Sequence, residues 1–453
     1  MNIALKSGVQ HSWQWLSHRP LSLKDWVARQ LEDTGQKNSI SSLDGIRAIA
    51  ALLVVFFHIG EMTRDAKIWL LDNAYTSSIM LAGGSGVTLF FVLSGFLLFM
   101  PYERALLFEE NWPSARRFYL RRVFRIVPAY YLSLILMILF FHPEYLQPAH
   151  LKELPLFFLF YMDSSPATYM QLNGPFWTLA VEWQFYMLLP LLALGMSWFV
   201  RRGSAHKRFL LTALCLLAII IWGVGTRRLG LYLMNHPERT FLIPRSALNV
   251  ILVFIYGMNG KFLEDFAIGM LISLCFTYVN SLPPESRLRT MFGRASLWLL
   301  GGGLLLLYFM ALWHFNVWYP NRLTPLLRIR PPYETISELL LAIGFGSCVM
   351  AILFGPALLR RLLEIPILRW IGLISYSLYM WHLPLLVFIA NHVGWKVPAW
   401  NNALAYGMYW VWAIAIIIPF AFLFYTWIEK PWMRLGARLL KQGKTRMRGP
   451  TLL

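Results

Sequence analysis

The first long apolar run of the chain covers residues 44–62 and reads DGIRAIAALLVVFFHIGEM. A helix of about 20 mainly apolar residues can cross the roughly 30 Å hydrocarbon core of a bilayer. Further runs of comparable length follow near 84–101, 124–142, 176–198, 208–226, 262–281, 295–313, 335–356, 370–390 and 404–428. The pattern predicts an all-α fold, a polytopic transmembrane bundle of about ten membrane-spanning helices.

Composition also favours a membrane protein. Of the 453 residues, 58% are hydrophobic and 14% are charged, whereas soluble domains are roughly 25% charged. The net charge of +19 would suggest a nucleic-acid partner for a soluble protein. Here the basic residues lie in short loops between apolar runs, so membrane lipids are the expected contacts and nucleic acid is not. The three cysteines lie within apolar runs and lack CxxC spacing, so no metal site is expected.

The remaining segments define the predicted topology. Two apolar stretches, about 154–162 and 247–258, are short and are predicted to be re-entrant or interfacial, with an eleventh span left open. The loops on the side of the termini carry about 27 Lys and Arg, and the other side carries about 12. The positive-inside rule therefore predicts that both termini lie in the cytoplasm. We expect the protein to be a multi-pass protein of the inner (plasma) membrane. Its predicted parts are a cytoplasmic lead-in (1–40), a transmembrane domain (41–435) and a basic cytoplasmic tail (436–453).

The first apolar run contains Asp44, Arg47 and His58 as candidate functional residues. From Arg47 to His58 a helix turns by about 1100°, within about 20° of three full turns, and rises about 16 Å. Both side chains thus share one face, and His58 lies about halfway across the bilayer. An ionisable group is costly there unless it meets a cavity, a partner or water. This predicts a functional role for His58, with simple helix packing as the alternative.

The third run is entered through an arginine-rich stretch, residues 116–128, which reads RRFYLRRVFRIVP. Arg122 and Arg125 are three residues apart and share a helix face, and Arg125 already lies inside the run. Guanidinium groups bind phosphate through paired hydrogen bonds, and coenzyme A carries a pyrophosphate and a ribose phosphate. An anionic ligand such as coenzyme A is therefore a candidate partner. The alternatives are lipid headgroups or a structural pair with an acid such as Asp44.

Two other runs contain buried polar groups. Glu182 lies about two turns inside its run, where we expect it to orient a histidine or hold a substrate hydroxyl unless it pairs with a buried arginine. His382 stands in a stretch rich in hydroxyls and is the rival of His58 for the role of base; the same setting suits contact with a sugar or pantetheine. Glycines in 83–86 and at Gly95 are expected to allow close approach of helices.

These pieces occur together in one order. They are LDGIR (43–47) leading to His58, GVTLFFVLSGF (86–96), RRVFRIVP (121–128), WTLAVE (177–182), SYSLYMWH (375–382) and EKP (429–431). From about residue 40 to about 435, the ensemble resembles the acyltransferase 3 family of membrane-bound O-acyltransferases. The resemblance implies a ten-helix bundle that takes acyl-coenzyme A, by default acetyl-coenzyme A, from the cytoplasm. The implied acceptor is a hydroxyl of a glycan, a glycolipid, a lipid or a small molecule.

The resemblance also implies roles for individual residues. The family's arginine-ten-residues-histidine pattern falls on Arg47 and His58, and its tryptophan-to-glutamate element falls on Trp177 and Glu182. We predict His58 and Glu182 as catalytic residues, His58 as a base or as a brief carrier of the acyl group. The predicted coenzyme A ligands are Arg47, Arg122 and Arg125. The predicted substrate contacts are Asp44, Trp177, Tyr379 and His382.

Two matters of function stay open at this stage. Some family members carry an extracytoplasmic hydrolase-like domain after the bundle. This sequence continues for about 25 residues past its last run, so we expect a single-component mechanism or a separate extracytoplasmic transfer protein. The alternative function is a secondary transporter or flippase, because intramembrane His, Arg and Glu also mark transport pathways, although the sequence shows no internal repeat. A non-catalytic receptor for acyl-coenzyme A is a third reading.

Overall fold

The computed structural model of the protein describes residues 40–65, 73–200, 203–240, 242–319, 330–393 and 402–447, together with Asp25, Trp26, Arg29 and Gln30. Most of the predicted lead-in and the end of the predicted tail lie outside these residues. In the described parts, every regular element is a helix. Nine of these helices are long and apolar enough to cross a membrane, or ten when one bent pair counts as a single span. The predicted fold class and number of spans are confirmed.

The helices are named in chain order. They are α1 (Ser41–Asp65), α2 (Ala74–Ala82), α3 (Gly86–Phe108), α4 (Ala115–Leu136), α5 (Leu154–Phe158), α6 (Phe176–Val200), α7 (Ala205–Asn235), α8 (Arg245–Ile255), α9 (Leu263–Ser281), α10 (Arg287–Trp318), α11 (Arg330–Phe354), α12 (Ala357–Leu363), α13 (Pro366–Leu373), α14 (Ser375–Val393), α15 (Asn402–Trp412), α16 (Ile418–Phe424) and α17 (Lys430–Met447).

Several helices combine into longer spans. A 3-10 turn at Gly83–Ser85 joins α2 to α3, and together they form one span. Helices α13 and α14 are the bent pair, with an angle of 73° between them. In the last span, π-helical segments at Ala413–Ile417 and Tyr425–Glu429 connect α15, α16 and α17. The two short apolar stretches seen in the sequence form the short helices α5 and α8.

Consecutive spans run in opposite directions across the bundle. We call the end at which α1 begins the inner end, and the end at which α1 finishes the outer end. Helices α1, α4, α7, α10 and α14 therefore begin at the inner end, and α3, α6, α9 and α11 begin at the outer end. The charge bias of the loops predicts that the inner end faces the cytoplasm.

Glycines let α3 pack closely against its neighbours. A Cβ atom on Gly95 would lie 2.1 Å from the carbonyl oxygen of Phe266, and one on Gly269 would lie 2.0 Å from that of Val92. Only glycine fits at both points where α3 crosses α9. A Cβ on Gly86 would likewise lie 2.5 Å from the carbonyl oxygen of Ala50 in α1. The close helix approach predicted for Gly86 and Gly95 is confirmed, and it fixes α3 between α1 and α9.

Candidate active site

A cavity of about 270 Å³ lies in the inner half of the bundle. Its walls come from the first two turns of α1 and α14, from residues 122–126 of α4 and from the facing sides of α3 and α6. The predicted site residues in its lining are Asp44, Arg47, Arg122, Arg125, Glu182 and Tyr379. The structure thus brings together six residues that are spread over more than 300 positions of sequence. We call this space the inner cavity.

The three arginines of the inner cavity come from two helices. Arg47 lies one turn into α1, and Arg122 and Arg125 lie one turn apart on α4, as their spacing predicted. The guanidinium carbon of Arg122 lies 5.7 Å from the centre of the Tyr186 ring. Arg47 lies within electrostatic range of Arg125, Asp44 and Glu182. Three cations on one wall favour an anionic ligand.

The two carboxylates of the inner cavity have partners other than the guanidinium groups of that cavity. The sequence left open a structural pair between Asp44 and Arg125. In the structure, Asp44 instead lies 3.8 Å from Arg369 of α13. Glu182 accepts hydrogen bonds from Ser94, at 2.7 Å, and from Tyr186. Among the described residues, neither acid forms an ion pair within 4 Å of a guanidinium group of the inner cavity. Those guanidinium groups therefore keep hydrogen-bonding capacity for a ligand.

A second, wider cavity continues the inner cavity. It measures about 600 Å³ and shares Leu97, Leu98 and Arg122 with the inner cavity. Arg104, Arg117 and Arg121 also line it. The arginine-rich entry to α4 therefore lines a cavity that adjoins the inner cavity at Leu97, Leu98 and Arg122.

The two intramembrane histidines are in contact with each other. Nδ1 of His58 lies 2.9 Å from the carbonyl oxygen of Val54 and 3.2 Å from Nε2 of His382. Nδ1 of His382 lies 3.2 Å from the carbonyl oxygen of Leu378. Because carbonyl oxygens only accept hydrogen bonds, these contacts assign the proton to Nδ1 in both rings. Nε2 of His58 then keeps its lone pair, while Nε2 of His382 accepts from His58.

The histidine pair lies next to the inner cavity. The ring centres of Tyr379 and His382 are 5.7 Å apart, and the hydroxyl oxygen of Tyr379 lies 2.6 Å from the hydroxyl oxygen of Thr178. Tyr379 and Thr178 both line the inner cavity. Trp177, the neighbour of Thr178, lines a separate cavity at the outer end of the bundle. The predicted substrate contacts are thus divided between the two ends.

Sequence reasoning missed several residues of the site. Tyr186 lies one helical turn beyond Glu182, so its contact could have been read from the spacing. Arg369 was counted only as a topology signal. Glu429 begins the EKP motif, is 2% exposed and accepts a hydrogen bond from Ser377 of α14. Arg369 and Glu429 are remote in sequence from their partners Asp44 and Ser377, so no local pattern marks these two contacts.

The fold and the site define a multi-pass membrane protein with an arginine-lined cavity beside a histidine pair. The chain belongs to the acyltransferase 3 family, whose characteristic unit, described as an acyltransferase domain, matches residues 40–426. The sequence resemblance to this family is confirmed. No solved structure is significantly similar to the chain.

Curated relatives are named as O-acetyltransferases. The chain is 26% identical over 372 residues to the peptidoglycan O-acetyltransferase OatA of Listeria monocytogenes serovar 1/2a, covering 77% of this chain and 49% of that protein. It is 24% identical over 395 residues to the O-acetyltransferase OatA of Staphylococcus aureus strain NCTC 8325, covering 82% of this chain and 55% of that protein. The chain spans about half the length of the curated relatives it matches.

Proposed function

We propose that the protein is a membrane O-acyltransferase that transfers an acetyl group from cytoplasmic acetyl-coenzyme A to a hydroxyl of a glycan, glycolipid or small acceptor. The observation that carries this proposal is the arginine-lined inner cavity, whose wall residue Tyr379 contacts the histidine pair. Membership of the acyltransferase 3 family and the names of the relatives support the transfer of an acetyl group to a hydroxyl oxygen.

The donor, acetyl-coenzyme A, would occupy both the inner cavity and the wider cavity that adjoins it. The wider cavity, with Arg104, Arg117 and Arg121, would hold the nucleotide end of coenzyme A. Arg47, Arg122 and Arg125 would bind its phosphates at the entrance to the inner cavity, where bidentate guanidinium contacts are strong. The pantetheine arm would then extend toward His58, which lies about 16 Å along α1 from Arg47.

His58 would act as the general base. Nε2 of His58 takes the proton of the acceptor hydroxyl as the hydroxyl oxygen attacks the thioester carbonyl carbon. The bond between that carbon and sulfur breaks, and the coenzyme A thiolate receives the proton back from His58. His382 is a positioning residue, because its Nε2 accepts the Nδ1 proton of His58 and so keeps the Nε2 lone pair of His58 available. Glu182 would hold Tyr186 and Ser94 in the wall that the thioester passes.

Acceptor-dependent thiol release tests the proposal. Membranes that contain the full-length protein are supplied with acetyl-coenzyme A and with extracts of the native glycans and lipids. We expect free thiol only when an active extract is present, together with a product heavier by one acetyl group. A transporter or flippase would move its substrate without a change of mass, and a receptor would bind acetyl-coenzyme A without thiol release. Either of those results would overturn the proposal.

A further inference from the structure

A cavity of about 180 Å³ lies at the outer end of the bundle. It is built from the end of α1, the start of α3, α6 and α11, the last turns of α10 and the segment before α9. Its polar and aromatic lining includes Thr88, Trp177, Asn259, His314, Tyr333 and Glu338. We call this space the outer cavity.

The outer and inner cavities approach each other beside the histidine pair. Val87 lines both cavities. Phe57 lines the outer cavity, and its ring lies 4.9 Å from that of His58. On the inner side, Tyr379 contacts His382. The pair thus contacts one wall residue of each cavity: Phe57 of the outer cavity contacts His58, and Tyr379 of the inner cavity contacts His382.

Hydrogen-bonding groups and charge define what the outer cavity can hold. Glu338 accepts a hydrogen bond from Thr88 at 2.9 Å, and the Tyr333 hydroxyl lies 2.5 Å from Nδ1 of His314. Among the described lining residues there is no lysine or arginine. The nearby Arg227 lies within electrostatic range of Glu338 but is already paired with Glu264, at 2.8 Å. An anionic ligand would therefore meet Glu338 without an unpaired cation among the described lining residues, whereas hydroxyl groups could donate to Glu338.

We propose that the outer cavity is the acceptor site, and that it takes an uncharged sugar ring whose reacting hydroxyl points past Phe57 toward His58. This inference rests on the proposed function and names the substrate class of the same site. Trp177 offers an aromatic face for the sugar, and Asn259, Tyr333 and Glu338 offer hydrogen bonds. The volume is smaller than the roughly 300–1,000 Å³ of pockets for drug-sized ligands, which suits one ring rather than a longer chain.

Two serines of the α2–α3 span give a matched test. Ser85 lines the outer cavity and Ser94 lines the inner cavity. Ser85→Cys and Ser94→Cys are placed separately in a full-length protein whose Cys215, Cys275 and Cys348 are replaced by serine. A membrane-impermeant thiol reagent is added to sealed vesicles of known orientation. We expect Ser85→Cys to react from the side opposite to the one that labels Ser94→Cys.

Protection by small ligands then identifies what each cavity binds. The probes are methyl glucoside, methyl glucuronide and acetyl-coenzyme A. At about ten times its Kd a ligand slows labelling about tenfold, since only the unoccupied fraction reacts. Methyl glucoside is expected to protect Ser85→Cys, and methyl glucuronide is expected not to. In Glu338→Gln, which keeps the shape of the side chain and removes its charge, the glucuronide should protect as well as the glucoside.

The outcomes separate this inference from the proposed function. If neither glycoside protects Ser85→Cys, or if the glucuronide protects better, the sugar assignment is overturned. Labelling of both cysteines from one side would overturn the two-sided arrangement. If acetyl-coenzyme A fails to protect Ser94→Cys, the donor proposal fails, while the result for Ser85→Cys still reports on the outer cavity.

Discussion

The inner and outer cavities differ in the charge that they present. Three arginines line the inner cavity beside two acids, whereas the described lining of the outer cavity contains Glu338 and no lysine or arginine, and the nearby Arg227 is paired with Glu264. Burial makes such charges selective, because a ligand of the wrong sign loses its hydration without gaining a partner. The comparison supports the proposal that each end selects its own ligand by charge, a phosphate-bearing molecule at the inner end and an uncharged one at the outer end.

The largest effect is expected from substitution of His58, which lies beside both cavities. His58→Ala removes the proposed base, so we expect acetyl transfer to fall by about 10²–10⁴-fold or more. The measurement is acceptor-dependent thiol release from acetyl-coenzyme A by membranes with equal amounts of folded protein. His236→Ala is the matched control, because His236 lies outside both cavities and its ring nitrogen bonds within its own chain segment, to the carbonyl oxygen of Tyr232. Turnover of His58→Ala close to that of this control would remove His58 from the mechanism.

The inner cavity is tested through its cations. Arg125→Ala removes charge-assisted hydrogen bonds, each contributing about 1.5–3 kcal/mol, so we expect the KM for acetyl-coenzyme A to rise by about ten- to a hundredfold. The turnover of the saturated enzyme should change less. Arg116→Ala provides the control, since Arg116 is exposed and lines neither inner space. Equal effects of the two substitutions would show that overall charge, and not the cavity, determines donor affinity.

The link between the histidines is tested by comparing two substitutions. His382→Ala removes one of the two acceptors of the Nδ1 proton of His58 and leaves the carbonyl oxygen of Val54 as the other. We expect kcat to fall about tenfold with little change in either KM. His382→Gln, whose amide oxygen can still accept from Nδ1 of His58, is expected to recover part of this loss. A loss that is the same in both variants, accompanied by a lower melting temperature, would instead assign His382 a role in packing alone.

The smallest effect is expected where α3, which lines both cavities, crosses α9. Gly269→Ala places a Cβ 2.0 Å from the carbonyl oxygen of Val92, so the helices must separate, at a cost of about 1–3 kcal/mol. The measurement is the thermal midpoint in detergent. Gly407→Ala is the control, because among the described residues no atom of another helix lies within 4 Å of the point that its Cβ would occupy. A neutral Gly269→Ala would mean that the crossing can relax without disturbing either cavity.

Sequence alone could predict the inner cavity better than the outer one. Apolar run length determines the spans. Helical spacing places Arg122 with Arg125, and the resemblance adds Arg47 and Glu182. The contact of His58 with His382 joins residues 324 positions apart, so no local pattern could reveal it.

The outer cavity was missed for a related reason. Its polar groups come singly from separate helix ends, as with Thr88, His314 and Glu338. Each of them alone is typical of an ordinary polar position near a membrane surface. Only the three-dimensional packing of α3, α10 and α11 shows that they share one space.

The π-helical segment Tyr425–Glu429 makes the last span sensitive to the deletion of a single residue. A π turn holds one residue more than an α turn, so it corresponds to a one-residue insertion in a regular helix. Deleting Thr426 would restore α geometry and rotate everything beyond it by about 100°. Glu429 would then leave Ser377, and Gly436 would leave Phe124, against which it now packs. We therefore expect this single deletion to reduce the yield of folded protein far more than a Thr426→Ala substitution does, as measured by monodisperse protein recovered in detergent.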